Sequence, residues 1–358
     1  MRDITIEEMF NIKNPVVIDV RSPIEFEEGS IPGAVNVPLF TNEERSEVGT
    51  IYKKEGTDAA KWRAMEIVSP KLPDMLSEIR KFGGRGNNLI IQCWRGGSRS
   101  KAVTSFLEFS GINARRLQGG YKAYRQSILK ELPELMPKQA IVLHGMTGTG
   151  KTEILKILSA KGYPVLDLEQ LANHRGSIFG AIGLGQGNSQ KTFDALLHDR
   201  LMELKGSPYV IMEAESKRIG RVVLPDELME VKKNGINIQT NLPMDKRIAL
   251  IKAEYITPYQ NEPWYYDNVK TALERIEKRI KDHEAKVQLF ELLNAKDYTG
   301  MIKILLESYY DSMYGHKQEE YDGKFINIAA ESFEDAAKKI EDYLGGMAPM
   351  PFTPVIQS

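Results

Sequence analysis

Two short stretches of this sequence carry residue types and spacings suited to chemistry on anions. The first is Cys93-Trp94-Arg95-Gly96-Gly97-Ser98-Arg99, which follows the apolar run Asn88 to Gln92 and precedes helix-forming residues from about Ser100. A loop between a strand and a helix can curl its backbone N–H groups round one point and aim the helix N-terminus there. That arrangement stabilises an anion and lowers the pKa of a thiol. Cys93 is thereby placed as a nucleophile, Gly96 and Gly97 permit the dihedrals of a tight cradle, and Arg95 and Arg99 add positive charge.

The second stretch is Gly145-Met146-Thr147-Gly148-Thr149-Gly150-Lys151-Thr152, a complete G-x-x-x-x-G-K-[ST] pattern between strand-like Ala140 to His144 and a helix-forming segment from Glu153. In that context Gly145, Gly148 and Gly150 let the loop wrap a diphosphate. Lys151 supplies charge, and Thr152 can reach a Mg²⁺ ion. The metal's carboxylate is expected where a neighbouring strand ends. Glu213 stands directly after the apolar run Tyr209 to Met212, Glu215 lies two residues on, and Asp167 is a weaker alternative. No Asn-Lys-x-Asp run occurs, which disfavours a GTPase. A glycine-flanked polar loop holds His174, Arg175 and Ser177, suited to contacts with a phosphate or a base. Lys217, Arg218 and Arg221 could meet a polynucleotide backbone or form a solvated face, and Tyr309 and Tyr310 could stack a base or pack among helices.

The elements that must position these residues alternate between strand and helix. Val16 to Ile18 and Asn88 to Gln92 read as buried parallel strands, with helices over Thr57 to Val68 and Leu72 to Phe82 between them. Residues 131–138 hold two prolines and two acids and read as a linker. Beyond it, strands are expected at Ala140 to Leu143, Tyr163 to Leu166, Tyr209 to Met212 and about Ile236 to Thr240. Beyond Asp245 the pattern becomes long, charged and helical, followed by a strand at Phe325 to Ile328 and a helix at Ser332 to Leu344. The expected organisation is α/β throughout: a first domain over 1–130, a second with a helical appendage over 139–345, and a mobile tail over 346–358.

Composition narrows the chemistry. At ~150 residues per domain, 358 residues allow two domains, and a net charge of −1 names no partner, so a nucleic-acid site must be a local basic patch. One cysteine rules out an internal disulfide and a cysteine-built zinc site, which suits a reducing cytoplasm. No signal-like N-terminus and no apolar run of ~18 residues is present, so neither export nor a membrane span is expected.

Residues 16–39, VVIDVRSPIEFEEGSIPGAVNVPL, and 117–125, LQGGYKAYR, resemble the opening and closing signatures of rhodaneses. Ser30 and Tyr124 replace the histidine and tryptophan common there, at positions that do not carry the reaction. The resemblance makes residues 1 to about 130 a rhodanese-like domain, with Asp19 and Arg21 structural beside the active loop. Five residues separate Cys93 from Arg99, where simple rhodaneses usually have four. The wider loop resembles that of cysteine phosphatases and suits a tetrahedral oxyanion.

A rhodanese-like domain followed by a P-loop NTPase-like domain resembles the bacterial tRNA 2-selenouridine synthases, and so do TNEERSEVGTIYKKEG at 41–56, LANHRGSIFG at 171–180, EAESKRIGRVVLP at 213–225 and ESYYDSMYG at 307–315. That resemblance implies a transferase acting on the wobble 2-thiouridine of tRNA. The sulfur is alkylated from geranyl diphosphate and then replaced by selenium from selenophosphate, so a selenophosphate-producing enzyme is an expected partner. Alternatives are a rhodanese-fold phosphatase and a persulfide carrier fused to a nucleotide-binding P-loop domain.

Overall fold

A computed structural model describes residues 2–84, 86–314, 321 and 325–345, and the expected mobile tail over 346–358 lies outside them. The chain forms two compact units. One comprises residues 1–134 with 189–198, the other 135–188 with 199–358.

The first unit is built on five parallel strands: β1 (Arg2–Ile4), β2 (Pro15–Asp19), β3 (Val35–Asn36), β4 (Asn88–Gln92) and β5 (Ala114–Leu117), in the order β1-β5-β4-β2-β3. Along β4, Leu89 and Ile91 enter one core with Ile18, Val103 and Leu107. Ile90 enters the other with Val17, Leu117 and Tyr121. Burial on both faces is why this strand reads as an unbroken apolar run. In register, Asp19 pairs with Gln92, so β2 and β4 end side by side and Cys93 begins the loop beyond them. Asp19 and Arg21, both buried, form an ion pair there: Arg21 Nε donates to both Asp19 oxygens at 3.0 and 2.9 Å, and a terminal nitrogen reaches Oδ2 at 2.6 Å and the Gly29 carbonyl at 2.8 Å. The Arg21 guanidinium lies 4.2 Å from the centre of the Tyr121 ring.

The expected linker at 131–138 differs from what forms. A helix runs over Gly120–Leu135 and passes through Pro133. Tertiary contacts hold its last turn: Leu132 is buried, and the Glu131 carboxylate meets Ser127 Oγ at 2.7 Å and His198 Nε2 at 2.9 Å. His198 belongs to residues 189–198, which fold with the first unit although the sequence places them in the second domain. Arg125 holds the same segment through Asp194 at 2.8 Å.

The second unit carries a parallel sheet of β6 (Ala140–Gly145), β7 (Val210–Glu213), β10 (Ile236–Asn241) and β11 (Phe325–Ala329), ordered β11-β10-β6-β7. The short pair β8 (Arg218–Ile219) and β9 (Val222–Val223) is antiparallel. The strand expected at 163–166 shrinks to a bridge between Val165 and Ile211. Pro164 has no N–H to give a ladder, and Asp167 already caps the next helix by accepting from Gln170 N at 2.8 Å. The long charged pattern after 264 divides into helices Tyr265–Glu277 and His283–Asn294, the second capped by Asp282. No helix among the described residues is long and apolar enough to cross a membrane.

Replacing Asp19 by alanine leaves Arg21 buried without its counter-charge. A loss of about 3–5 kcal/mol is expected in the denaturant-induced transition of the first unit, and a transition unmoved from wild type would show that the pair bears no load.

Candidate functional site

In the first unit the Cys93 loop is fastened from outside. Tyr121 N donates to the Cys93 carbonyl and Lys122 N to the Trp94 carbonyl, both at 2.9 Å. Gly120 makes this closure possible: at φ +59° it occupies the left-handed region, and a Cβ there would stand 2.1 Å from the Cys93 oxygen. The paired glycines of the closing signature are thus the mould against which the loop is cast. Cys93 is buried, with Sγ 3.2 Å from Ser100 Oγ in the first turn of helix Ser98–Phe109. Gly96 has φ +62° and packs against Leu117 O and Gly119 N, whereas Arg95 and Gly97 are exposed.

Arg99 is already engaged, donating to both oxygens of Glu25 at 2.6 and 3.1 Å. Arg45 stands 3.7 Å from the same carboxylate. Burial works against the charge on Glu25, but hydrogen bonding and the charge of Arg99 outweigh it and hold the carboxyl below its ordinary pKa. The sequence reading did not single out Glu25, whose pairing spans 74 positions.

In the second unit β6 leads into the P-loop, where Gly148 and Gly150 adopt φ of +81° and +73°. Lys151 Nζ donates to the Gly145 carbonyl at 3.0 Å. The buried Arg247 ties the loop down by donating from Nε to the Thr147 carbonyl at 2.9 Å, and is itself held by Asp311 at 2.9 and 2.6 Å. A pocket of about 580 Å³ opens over the loop, lined among others by Lys151, Thr152, Glu169, Arg175, Ser177 and Glu215. Two π-helical turns supply its far wall: Lys252–Ile256, which carries Tyr255, and Leu306–Tyr310, which carries Tyr309 and Tyr310. Such turns push side chains out of helical register and are frequent at functional sites. Tyr309 is itself buried, its ring 4.9 Å from that of Tyr310, and its hydroxyl accepts from Arg279 at 3.3 Å. Against the same wall, sharing Thr147, Ser177, Ile251, Tyr255 and Tyr310, lies a narrow slot of about 60 Å³. Its other walls are apolar, among them Ile182, Val269, Met301 and Leu305.

The carboxylates distribute differently from expectation. Glu213 is buried outside the pocket lining, and its Oε1 accepts from Glu169 N at 2.7 Å. It therefore caps the helix Leu168–Ala172 instead of facing the pocket over the P-loop. Glu169 takes that place, its Oε2 accepting from Thr152 Oγ1 at 3.2 Å, with Glu215 on the same pocket wall. Burial first, then the neighbouring Glu215 charge, pushes the Glu169 carboxyl up to about 8 despite the opposing pull of Lys151. Two close carboxylates beside Thr152 fit a divalent cation, which would relieve their repulsion. Among the described residues no three His, Cys, Asp or Glu side chains form a complete cage, so such an ion would draw further ligands from phosphate and water.

His174 does not line this pocket. It lies between Gly180 and Gly220, where a Cβ on either would reach its ring within 2.8 Å, and its Nδ1 accepts from Gly176 N at 3.2 Å. Arg175 is held by Glu254 at 2.6 Å and the Ile182 carbonyl at 2.7 Å, above the ring of Tyr255. Lys217, Arg218 and Arg221 are exposed, Lys217 paired with Asp226 and Arg221 meeting Gln186 at 3.3 Å.

A family model described as the tRNA 2-selenouridine synthase AAA domain matches residues 138–347, and a rhodanese-like domain model matches 5–127. A tRNA 2-selenouridine synthase of Sulfurovum sp. is 33% identical over 356 residues, covering 93% of this chain and 95% of the relative. That of Pseudomonas syringae pv. tomato is 33% identical over 343 residues, covering 89% and 92%. The Nitrosomonas europaea protein of the same name is 38% identical over 250 residues, covering 68% and 64%.

Folding places Glu169, with an ordinary pKa of 4.5, where it holds its proton up to about 8. The folded chain therefore binds a proton the unfolded chain has released, and stability falls as pH rises through that window. The melting temperature of the ligand-free protein should drop between pH 6 and 8.5, and Glu169→Gln should flatten that drop. An equally steep drop in the variant would assign the titration elsewhere.

Proposed function

The chain belongs to the tRNA 2-selenouridine synthase family, and from that premise we propose that it converts wobble 2-thiouridine of tRNA to 2-selenouridine in two transfers. The observation that carries the reading is a cysteine anion loop on one unit and a diphosphate loop beside an apolar slot on the other.

In the first transfer geranyl diphosphate sits with its diphosphate in the P-loop, gripped by loop N–H groups and Lys151, and its chain against the apolar wall. The thiocarbonyl sulfur attacks C1 of the geranyl group, the C–O bond breaks, and its electron pair leaves with the diphosphate while the base loses its N3 proton. Thr152, with Glu169 and Glu215, would hold Mg²⁺, which would supply positive charge to the leaving group. In the second transfer selenophosphate meets the Cys93 loop. Selenium forms a bond to C2, geranyl thiol departs with the sulfur, and water takes the phosphoryl group as inorganic phosphate, leaving the C2 selenocarbonyl and an N3 proton. The Cys93 thiolate assists this displacement of the geranyl thiol. Arg95, Gly96, Gly97 and Arg99 shape the loop, and Arg175 and Ser177 border the diphosphate site. His174 then shapes the loop that carries them, while Lys217, Arg218 and Arg221 offer exposed charge to the tRNA backbone. A selenophosphate-producing enzyme supplies the second donor, and a cytoplasmic setting belongs to the same reading.

A phosphatase reading is less well supported, because Arg99, which would grip the phosphate, already grips Glu25 with both nitrogens. A persulfide carrier leaves the apolar slot beside the P-loop without a purpose.

Two variants separate the transfers. Lys151→Ala should lower geranylation of 2-thiouridine tRNA on the order of 100-fold, read by nucleoside mass spectrometry. Cys93→Ala should stop selenation while S-geranyl-2-thiouridine accumulates. Wild-type geranylation by Lys151→Ala, or normal selenouridine from Cys93→Ala, would each refute its half of the mechanism. Binding to tRNA should also weaken steeply between 50 and 200 mM salt, because exposed Lys and Arg on a nearly neutral chain must make the phosphate contacts. An affinity indifferent to salt points to a different partner.

A further inference from the structure

Helix Asn42–Lys54 spans 13 residues and fully buries none of them, although Val48, Ile51 and Tyr52 lie within it. Its neighbour, helix Thr57–Val68, buries only Ala60 and Val68 and leaves Trp62 and Met65 exposed. An apolar helix face left open in this way asks what covers it.

The two helices surround a cavity of about 720 Å³, walled by Phe40, Val48, Ala64, Val68, Ala102 and Phe106. Ser98 and Arg99, the first turn of the helix leaving the Cys93 loop, line it as well. Its charged lining residues are Arg45, Lys53, Lys61 and Arg99, with no acid among them. Arg45 and Arg99 lean on Glu25, and Lys61 stands 3.9 Å from Asp58 with its side chain 66% exposed. The volume falls within the ~300–1,000 Å³ of small-molecule pockets, and a concave apolar hole fits a flexible chain better than the flat face of a folded partner. An apolar hole with the exposed Lys53 and Lys61 on its lining suits a hydrocarbon chain attached to a polyanion.

Resting on the two-transfer reading above, we propose that this cavity receives the prenyl chain of S-prenylated 2-thiouridine tRNA while the base is presented to Cys93. The second transfer must take place at C2, the carbon that bears the prenyl thioether. A pocket beginning at Ser98 and Arg99 lets the chain lie in apolar surroundings while C2 faces the cysteine loop. The thiol that departs is then already housed as an apolar product. The cavity thereby selects the alkylated tRNA over unmodified 2-thiouridine tRNA for selenation.

Gly49 lies on the cavity wall within helix Asn42–Lys54, has no left-handed φ, and a Cβ there would meet only the far end of the flexible Arg45 side chain at 2.6 Å. Gly49→Phe therefore fills the cavity without backbone strain, and replacing a helical glycine favours the helix. Thr50→Phe fills it from an exposed lining position and guards against misfolding of the first variant. Full-length proteins would be assayed in single turnover, first with 2-thiouridine tRNA and geranyl diphosphate, then with purified S-geranyl tRNA and selenophosphate. Both Phe variants should geranylate within twofold of wild type and selenate S-geranyl tRNA at least tenfold more slowly. Gly49→Ala should match wild type, and a five-carbon dimethylallyl thioether should recover most of the lost rate. Wild-type selenation by both Phe variants would overturn the inference. So would a loss independent of chain length, which would mark the face as a docking surface for tRNA, a second copy or another protein. If wild type itself neither forms nor consumes S-geranyl tRNA, the two-transfer reading fails and the inference falls with it.

Discussion

A loop can offer its N–H groups to an anion only if its carbonyl oxygens are held elsewhere, and both units are arranged around that requirement. In the first, the N–H groups of Tyr121 and Lys122, opening a helix, take the carbonyls of Cys93 and Trp94. In the second, the Arg247 side chain takes the carbonyl of Thr147, and Lys151 takes that of Gly145. The donors differ, a neighbouring helix in one case and Arg247 with the loop's own Lys151 in the other, but the physical result is the same: these oxygens are satisfied, and the N–H edge of the loop remains for a ligand. This constraint explains why Gly120 must lack a side chain, because a Cβ would stand in the path of the Cys93 oxygen.

The same sites manage charge in opposite ways. Beside the Cys93 loop buried and half-buried charges are paired, Asp19 with Arg21 and Glu25 with Arg99 and Arg45, while Arg95 in the loop itself is exposed. Paired charge fixes the geometry behind the loop. Around the P-loop acids crowd one another. Asp167, Glu169 and Glu213 all have pKa values raised first by burial and then by one another or by neighbouring acids. Crowding and burial favour the protonated form of such carboxyls until a cation relieves their repulsion, and Glu169, pushed up to about 8, shows it most plainly. The first loop is thus flanked by paired charge, the second by crowded carboxyls.

Apolar surface is distributed with equal purpose. The helical appendage packs its own core, from Ile256 and Val269 to Leu289 and Leu306, and at two π-helical turns brings tyrosines to the phosphate pocket. The inserted helices after Thr41 bury little of themselves and enclose an open cavity. One set of helices builds a core with an aromatic wall, and the other leaves a cavity open.

Local pattern determined the two glycine-rich loops, because each is written in consecutive residues: a buried strand, a run of glycines and cations, and a helix start. It also marked β4 and β6, whose burial on both faces leaves an unbroken apolar run. What the sequence could not decide is which distant side chains complete each loop. Arg247 meets Asp311 across 64 positions and Glu25 meets Arg99 across 74, and neither pair has any periodicity or spacing to announce it. Glu213 was legible as a carboxylate at a strand end, but whether such a group faces the ligand or caps a neighbouring helix depends on that helix's placement. Here helix Leu168–Ala172 claims Glu213 and brings Glu169 to Thr152 instead. The prolines near 133 suggested a linker by local propensity, and the tertiary contacts of Leu132 and Glu131 held a helix there against it. Residue type and spacing thus marked where the chain's candidate chemistry lies. Only the tertiary fold, by bringing together groups far apart in sequence, decided which charges are satisfied and which remain to meet a ligand.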